Sequence, residues 1–441
     1  TGTDLAVLKT GDESVYRYDQ MGTHSYENSS MQTGTNGTSY YFSVASGDIT
    51  NFFNEVDLNT PWDYHYENLD SRTILDRLAA VKYFVVKAGE EEYLPYGYDT
   101  LAAEVEKHDK LYRAYECKNS LPIGYTYDSY IPEEKYAKMS TVEKQQALLQ
   151  GVILSNSTVP ETTSEFNDRE VPYKLVTGSG CKEKDGKLIV TKENAQAKLV
   201  FDGLDECETY LITEGVDYEA LSPRELISDK KWNKMTLYEQ KKVRYENSTW
   251  RYWKESQKAY IDVTGQFLDK TISIFTDKYN AYSGRSDFLC NTGYSVKGKK
   301  SITLTFENTG VYSYKNMKVV CQPIENIESQ TTKLRAESLE NVEIKNHELT
   351  GSISVSKDKV LVISLPYSKG FQAYVDGQKT ELKQANTMYM ALELKKGAHE
   401  IRLTYCTPYL KAGLILTCAG VLCYICVVLA YKKKRGKKKH E

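Results

Sequence analysis

Histidines are few in this sequence, and neither they nor the cysteines are arranged as a metal site. The chain has six histidines and nine cysteines, and the histidines never approach one another at the spacing of zinc ligands. GxSxG, Walker and GxGxxG motifs are absent, and residues 276–287 lack the carboxylates that an EF-hand needs at its first, third and fifth positions. Local spacing therefore indicates no metal site, no cofactor and no catalytic constellation.

The cysteines do not form a disulfide framework. Six are scattered before residue 407 and three lie in an apolar run near the C-terminus, and six cysteines alone allow fifteen pairings. Cys423 and Cys426 make a CxxC pair inside that run, but a redox dithiol needs an accessible, electropositive setting that lowers the thiol pKa. We therefore expect these two cysteines to be small residues that face lipid or pack against another helix.

A long apolar run is missing until residue 412, from which twenty residues carry no charge. At roughly 1.5 Å of rise per residue, a helix of that length covers about 30 Å, the thickness of the hydrocarbon core of a bilayer. A buried helix of a water-soluble protein is the alternative, but such helices seldom exceed about a dozen wholly apolar residues. The sequence predicts a transmembrane helix over residues 409–431.

Charge predicts the orientation of this helix. Seven of the last ten residues are Lys or Arg, and basic residues beside a span tend to stay in the cytoplasm. We therefore expect a cell-membrane protein with a cytoplasmic tail at 432–441 and a large extracytoplasmic domain. A tail-anchored protein with a cytoplasmic domain is the alternative. Without the tail, 50 basic and 59 acidic residues leave a net charge of −9, which argues against a nucleic-acid partner.

Two further features concern how the chain reaches the membrane. Proteins sorted covalently to Gram-positive cell walls also end in an apolar run and basic residues, but the LPxTG pentapeptide that they share is absent here. Residues 1–60 contain no run like a signal peptide, and the chain begins at Thr1. We therefore expect a retained anchor, and a chain that is the C-terminal part of a longer polypeptide with at least one upstream membrane-inserting segment.

Residues 1–160 mix helix and strand patterns and predict an α+β extracytoplasmic domain. Apolar residues at helical spacing predict a helix over residues 74–79, with Asp70 or Ser71 as its N-cap. A β-branched and aromatic run follows from Lys82. A helix that leads directly into a strand is therefore expected here.

From 165 to 405 the apolar residues alternate with polar ones. "SITLTF" and "EIRLTY" each place three apolar side chains on one face of a strand. Tight hairpins are predicted at the dipeptides Asp185-Gly186, Asp202-Gly203 and Asp376-Gly377. Many short alternating strands predict an antiparallel, jelly-roll-like β-sandwich, and the pattern leaves open whether there is one sandwich or two.

Three S/T-x-x-E capping boxes predict helix starts, namely Ser140 with Glu143, Ser222 with Glu225 and Thr236 with Glu239. The last two open a helical insertion at 222–258 in the otherwise β-like stretch. This insertion has ten basic against five acidic residues and three of the four tryptophans. A positive, aromatic patch on an acidic domain is therefore predicted.

The insertion supplies the candidate contact residues for a glycan or polymer, which are Trp232, Lys241, Lys242, Arg244, Trp250, Arg251, Tyr252 and Trp253. Aromatic rings beside cationic side chains suit either a helix on anionic headgroups or a cradle for an anionic polymer. The alternative is a helical face packed on the sandwich, with lysines in solvent. The 36 tyrosines fit sugar stacking, and equally fit the high β-propensity of tyrosine.

The order of several short phrases resembles a known family. "VYRYD", "GTSYYFS", "LDRLAAVKYFVVK", "YECKNSLPIGY", "LPYSKGFQAYVDGQKTEL" and "LKKGAHEIRLTYCTPYLKAGLIL" together resemble the C-terminal half of the bacterial YfhO family of multi-span membrane proteins. The resemblance covers nearly the whole chain. Members commonly read "YENKNALP" where this chain has Cys117 and Lys118, and the insertion at 222–258 has no assured counterpart.

The resemblance implies a GT-C-like glycosyltransferase. Such a protein would move sugar from a polyprenyl-phosphate donor to lipoteichoic acid or another anionic envelope glycopolymer, with membrane lipid as a further partner. Its catalytic carboxylate would lie in an upstream loop, so this segment would position the acceptor and hold no catalytic residue. The alternative from another class is a membrane-anchored carbohydrate-binding or adhesin-like surface module without catalysis.

Overall fold

The computed structural model describes residues 10–20, 28, 30–31, 34–58, 64–66, 68–107, 109–253, 256–265 and 268–437. The strands form antiparallel sheets except for two parallel strand pairs in the N-terminal part, counted over these residues. Several helices lie between the strands, and one long apolar helix ends the described chain. The predicted fold class is therefore confirmed.

The N-terminal part is mixed α and β. Its strands are β1 (Arg17–Gln20), β2 (Tyr40–Tyr41), β3 (His65–Tyr66), β4 (Val81–Lys87), β5 (Tyr98–Lys107), β6 (Lys110–Cys117), β7 (Gly124–Tyr127), β8 (Tyr130–Pro132) and β9 (Val152–Leu154). Its helices are α1 (Gly47–Glu55), α2 (Thr73–Leu78), α3 (Glu133–Tyr136) and α4 (Thr141–Leu148), with a 3₁₀ turn at Glu91–Tyr93. One sheet has the order β1-β4-β6-β5, and its apolar residues pack on α1, α2 and α4.

Helix α2 leads into β4 as predicted, but the predicted N-cap is wrong. Arg72 is the N-cap, and no side chain caps the helix. Asp70 and Ser71 instead adopt left-handed conformations with φ of 62° and 53°, and the Asp70 carboxylate binds Arg72 and Lys270. The Asp70 carboxylate therefore forms buried ion pairs and does not cap the helix. Helix α4 does begin behind the predicted capping box of Ser140 and Glu143.

A first sandwich follows. Its strands are β10 (Arg169–Val171), β11 (Tyr173–Thr177), β12 (Cys181–Lys184), β13 (Lys187–Val190), β14 (Ala195–Phe201), β15 (Cys207–Glu214), β16 (Asp217–Ala220), β17 (Lys258–Thr264), β18 (Asp269–Phe275), β19 (Phe288–Ser295), β20 (Ser301–Phe306), β21 (Gly310–Ser313) and β22 (Asn316–Pro323). Sheets of order β10-β22-β15-β19 and β11-β14-β20-β17-β18 enclose one apolar core. In β20 the predicted residues Ile302, Leu304 and Phe306 point into that core, as the alternation requires.

A second sandwich has its own core. After helix α7 (Ile327–Arg335) come β23 (Glu340–Lys345), β24 (Glu348–Val355), β25 (Lys359–Pro366), β26 (Phe371–Val375), β27 (Gln378–Thr380), β28 (Lys383–Ala385), β29 (Tyr389–Leu394) and β30 (Gly397–Tyr405). The sheets are β23-β24-β30-β26-β27 and β28-β29-β25-β7. Since β7 comes from the N-terminal part, that part and the second sandwich share a sheet. The predicted division near 160–165 stays a prediction.

Two of the three predicted hairpins are present. Asp185-Gly186 turns β12 into β13, and Asp376-Gly377 turns β26 into β27, with positive φ at all four residues. The hairpin predicted at Asp202-Gly203 is wrong, because β14 and β15 belong to different sheets. A Cβ at residue 203 would lie 2.8 Å from the Lys299 carbonyl oxygen, so this glycine permits a close backbone approach.

Helix α8 (Leu410–Lys437) ends the described chain. Within its segment Leu410–Lys432, an 18-residue window has a mean hydropathy of 2.5 and is unburied, so the helix is long and apolar enough to cross a membrane. The predicted span of 409–431 overlaps this helix, and its place in a membrane stays a prediction. Residues 438–441 of the predicted basic tail lie outside the described residues.

A basic aromatic helix and a tyrosine-lined cleft as candidate functional sites

The predicted insertion contains two helices, α5 (Asp229–Trp232) and α6 (Leu237–Thr249). Helix α6 begins at the predicted capping box of Thr236 and Glu239. The helix start predicted at Ser222 is wrong, because residues 223–226 form turns. There Glu225 accepts hydrogen bonds from the Ser222 amide and hydroxyl, and the first helix begins later, capped by Ser228.

Helix α6 exposes a stripe of tyrosines and lysines. It buries only Val243 among its described side chains, while Tyr238 and Tyr245 are 79% and 71% exposed. Spacings of three, four and seven residues place Tyr238, Lys241, Lys242 and Tyr245 on one helical face. The exposed Tyr252 follows in the 3₁₀ turn Trp250–Tyr252. We call these five residues the basic aromatic stripe.

The other predicted contact residues are held by one another or by neighbours. The Trp232 ring lies 4.4 Å from the Arg224 guanidinium and 5.7 Å from that of Arg244. Trp250 and Trp253 pack edge to face with ring centroids 5.2 Å apart. Arg244 therefore supports Trp232, which leaves Lys241 and Lys242 as exposed cations of the stripe. The Arg251 side chain lies outside the described part, and the assignment of these residues to a site stays a prediction.

A cleft of about 990 Å³ lies between the N-terminal part and the first sandwich. The connection before β5, the end of β6, the β19–β20 connection and α7 form its walls. Its polar and aromatic lining residues include Arg77, Glu91, Glu92, Tyr96, Tyr98, Asp99, Lys118, Asn119, Tyr294, Lys297 and Glu328. We call it the tyrosine cleft. Its volume is within the range of small-molecule sites.

Two tyrosines from different parts of the chain meet in this cleft. The Tyr96 and Tyr294 rings pack edge to face with centroids 5.2 Å apart. The Tyr96 amide donates to Thr73 Oγ1 at 3.1 Å, and the Tyr294 hydroxyl donates to Glu206. The Tyr294 ring is fixed through its hydroxyl, and Tyr96 is held through its backbone amide and through the Arg77 guanidinium, which lies 5.6 Å from its ring centroid. The two rings therefore form preorganised apolar walls.

The Glu328 carboxylate is anchored beside these rings. The buried Arg77 guanidinium forms an ion pair with it, and Asn119 Nδ2 donates to it at 2.5 Å. Burial alone would raise the Glu328 pKa, but the hydrogen bonds from Arg77 and Asn119 outweigh burial and lower it. Gly97 permits this arrangement, because its φ is +88° and a Cβ there would lie 2.6 Å from Arg77 Nη2. The cleft thus presents an ionised carboxylate at neutral pH.

Sequence reasoning missed the tyrosine cleft. Its residues come from separate segments between positions 77 and 328, so no local spacing reveals it. One signal was available, since the phrase "YECKNSLPIGY" contains Lys118 and Asn119. That phrase carried the family resemblance without suggesting a role.

Comparison with known proteins gives one family and one curated relative. The family model described as bacterial membrane protein YfhO matches residues 3–417. The uncharacterized protein YfhO of Bacillus subtilis (strain 168) is 23% identical over 434 residues, which cover 97% of this chain and 44% of that protein. This chain therefore spans less than half the length of that relative.

The search of solved structures gives a weaker likeness. Arabinofuranosyltransferase AftD from Mycobacteria is 12% identical, with a TM-score of 0.15, over 34% of this chain and 12% of that one. A TM-score that low supports no argument about fold or activity.

Proposed function

Because this chain belongs to the YfhO family of bacterial membrane proteins, we propose that it is the acceptor-positioning part of a membrane glycosyltransferase. The donor is a polyprenyl-phosphate sugar, and the acceptor is lipoteichoic acid or another anionic envelope glycopolymer. The large domain lies outside the cell and the basic end of α8 in the cytoplasm, as the positive charges favour. The transfer chemistry is what the family resemblance implies.

The basic aromatic stripe is the observation that supports this role. The residues before the tail carry a net charge of −9, so an anionic polymer is repelled by most of the surface. The stripe is a cationic exception, and Tyr238 and Tyr245 stand roughly 10 Å apart along the helix axis. Lysines then bind the phosphates of the polymer, and the tyrosine rings pack on its sugar or polyol units.

Replacing Lys241 and Lys242 with Ser should weaken binding of purified lipoteichoic acid about tenfold, the change that corresponds to about 1.4 kcal/mol. The salt dependence of binding should also become flatter, because fewer charges contact the polymer. Arg244 is left intact, since it packs on Trp232. Binding is measured by titration at low and at physiological ionic strength.

The matched control replaces Lys182 and Lys184 with Ser. These exposed lysines lie in β12 of the first sandwich, so the same charge is removed away from the stripe. If both double variants bind equally, binding depends on overall charge and the stripe has no special role. If neither differs from the unaltered protein, polymer binding does not involve these lysines.

The tyrosine cleft favours a second candidate function, carbohydrate binding without catalysis. Carboxylates accept hydrogen bonds from sugar hydroxyls, and tyrosine faces pack on sugar rings. Its lining carboxylates suit neutral sugars or amino sugars better than a polyphosphate. A transfer assay on the full-length protein separates the two functions, because a pure binding module moves no sugar from the donor.

Replacing Glu92 with Gln and Asp99 with Asn should weaken binding of oligosaccharides of neutral or amino sugars by at least about tenfold. A hydrogen bond to a charged group contributes about 1.5–3 kcal/mol, and 1.4 kcal/mol is a factor of ten. Titration calorimetry checks this. Replacing Glu133 and Glu134 of α3 with Gln is the control, since both are exposed and do not line the cleft; equal losses in both variants would exclude the cleft.

A further inference from the structure

A second cavity, of about 1000 Å³, opens where the globular part meets helix α8. Tyr405 and Pro408 line it, and α8 begins at Leu410. The other walls come from distant parts of the chain. They belong to residues 40–49, 344–349 and 365–371, together with Gln384. We call this cavity the juxtamembrane groove.

The groove lies at the level of the lipid headgroups. The uncharged run that starts at Ala412 matches the hydrocarbon core of about 30 Å, which puts Ala412 near its edge. From Pro408 to Ala412 the chain advances at most about 10 Å, given about 3.5 Å per extended residue and about 1.5 Å per helical residue. The headgroup layer is about 5–7 Å thick. The wall at Pro408 is therefore within this layer or directly against it.

Large apolar side chains project from three distant segments into this groove. Val44 is 80% exposed, Phe42 52% and Ile344 49%, and all three line the groove. Tyr405 stands beside them at the end of β30 and is itself partly exposed. Exposed apolar groups gathered in one concave place mark an interaction surface, and tyrosine is enriched where proteins meet the headgroup region.

We propose that the juxtamembrane groove binds a hydrocarbon chain of a bilayer phospholipid. The lipid phosphate then lies near Lys369, the exposed lysine of the lining. Continuity with α8 identifies the occupant, because the helix that enters the bilayer starts two residues after the groove wall. Lipid binding fixes the globular part against the membrane surface. This inference does not depend on the proposed transferase function.

Photocrosslinking tests this proposal on the full chain reconstituted in vesicles. The vesicles contain phosphatidylglycerol with a diazirine at the end of one acyl chain, and mass spectrometry locates the label after illumination. We expect labelled peptides from residues 42–49, 344–349 and 365–371 in addition to peptides from α8. Replacing Val44 and Ile344 with Glu should reduce labelling of the groove peptides about tenfold and leave the label on α8 unchanged.

The control replaces Val176 and Val200 with Glu. Both are partly exposed valines of the first sandwich and do not line the groove, so labelling should be unchanged. A second double variant, with Ser at Val44 and at Ile344, keeps the test valid if the two glutamates impair folding. Circular dichroism measures whether each variant is folded. The proposal is overturned if the label in the unaltered protein is confined to α8. It is also overturned if the groove peptides are labelled equally in the unaltered protein and in both double variants.

Discussion

Replacing Arg72 with Met is expected to lower the free energy of unfolding by about 3–5 kcal/mol, the cost of breaking a buried ion pair. The Arg72 side chain is fully buried. Its guanidinium donates to the carbonyl oxygens of Val56 at 2.5 Å and Asp57 at 3.0 Å, and to Asp70 Oδ2 at 3.2 Å. Methionine fills much of the volume but leaves these acceptors without their donor. Urea denaturation at neutral pH measures the loss.

Arg113 provides the matched control. Its guanidinium also binds two carboxylates, Glu91 at 2.7 Å and Glu104 at 2.8 Å, but it is solvent-accessible, so water replaces the lost partners. Replacing Arg113 with Met should therefore have a much smaller effect. Equal losses for the two arginines would show that burial does not set the contribution of these ion pairs.

Arg72 belongs to a polar network that joins the N-terminal part to the first sandwich. Asn291 Nδ2 donates to the carbonyl oxygens of Asp70 and Ser71 at 3.0 and 3.1 Å. Glu208 Oε1 accepts from the amide and hydroxyl of Thr73 at 2.9 and 2.6 Å. These contacts hold Asp70 and Ser71 in left-handed conformations that cost energy in isolation. The strained segment therefore persists only while the sandwich is docked against it.

Local physical rules explain which parts of the fold could be predicted. Alternation in "SITLTF", the Asp-Gly hairpins and two capping boxes depend on contacts within a few residues, and the structure contains them. Strand β7 could not be predicted from local pattern, because its partner β25 lies more than 200 residues away. The N-cap predicted for α2 was wrong for the same reason, a contact between distant residues, because Asp70 binds Lys270 of β18.

The candidate sites divide in the same way. The basic aromatic stripe lies on one helix, so the spacing of its lysines and aromatic residues was visible in the sequence. The packing of Arg244 on Trp232 was not, because it depends on how α5 and α6 fold together. The tyrosine cleft and the juxtamembrane groove are each assembled from segments that only the tertiary structure brings together.

Replacing Asp76 with Asn should stabilise the protein at neutral and alkaline pH. Asp76 is fully buried, and burial together with the nearby carboxylates of Asp19, Glu208 and Asp70 raises its pKa well above the usual value. Asp19 accepts hydrogen bonds from the amides of Gln20 and Leu69, and burial raises its pKa to about 6. At neutral pH the carboxyl group of Asp76 is thus protonated in the folded protein and ionised in the unfolded chain, so folding takes up a proton.

The direction of this pH dependence follows from the uptake of a proton on folding. Below a pH of about 4 both states are protonated, so the contribution of Asp76 to stability is fully present. As the pH rises towards the folded-state pKa, stability falls by about 1.4 kcal/mol per pH unit for the proton taken up. Asp19 adds a fall of the same sign between pH values of about 4 and 6. Asparagine at position 76 does not titrate, so the fall in stability that Asp76 causes is absent from the variant. The variant is therefore most stabilised, relative to the unaltered protein, at high pH.

Urea denaturation from pH 4 to pH 8 measures this dependence, with the exposed Asp217 of β16 replaced by Asn as the control. The advantage of the Asp76 variant should grow with pH and shrink towards zero near pH 4, while the control should follow the unaltered protein. An Asp76 variant that is less stable at every pH would mean that the carboxylate is ionised in the folded state and that its charge stabilises the junction between the α+β part and the first sandwich.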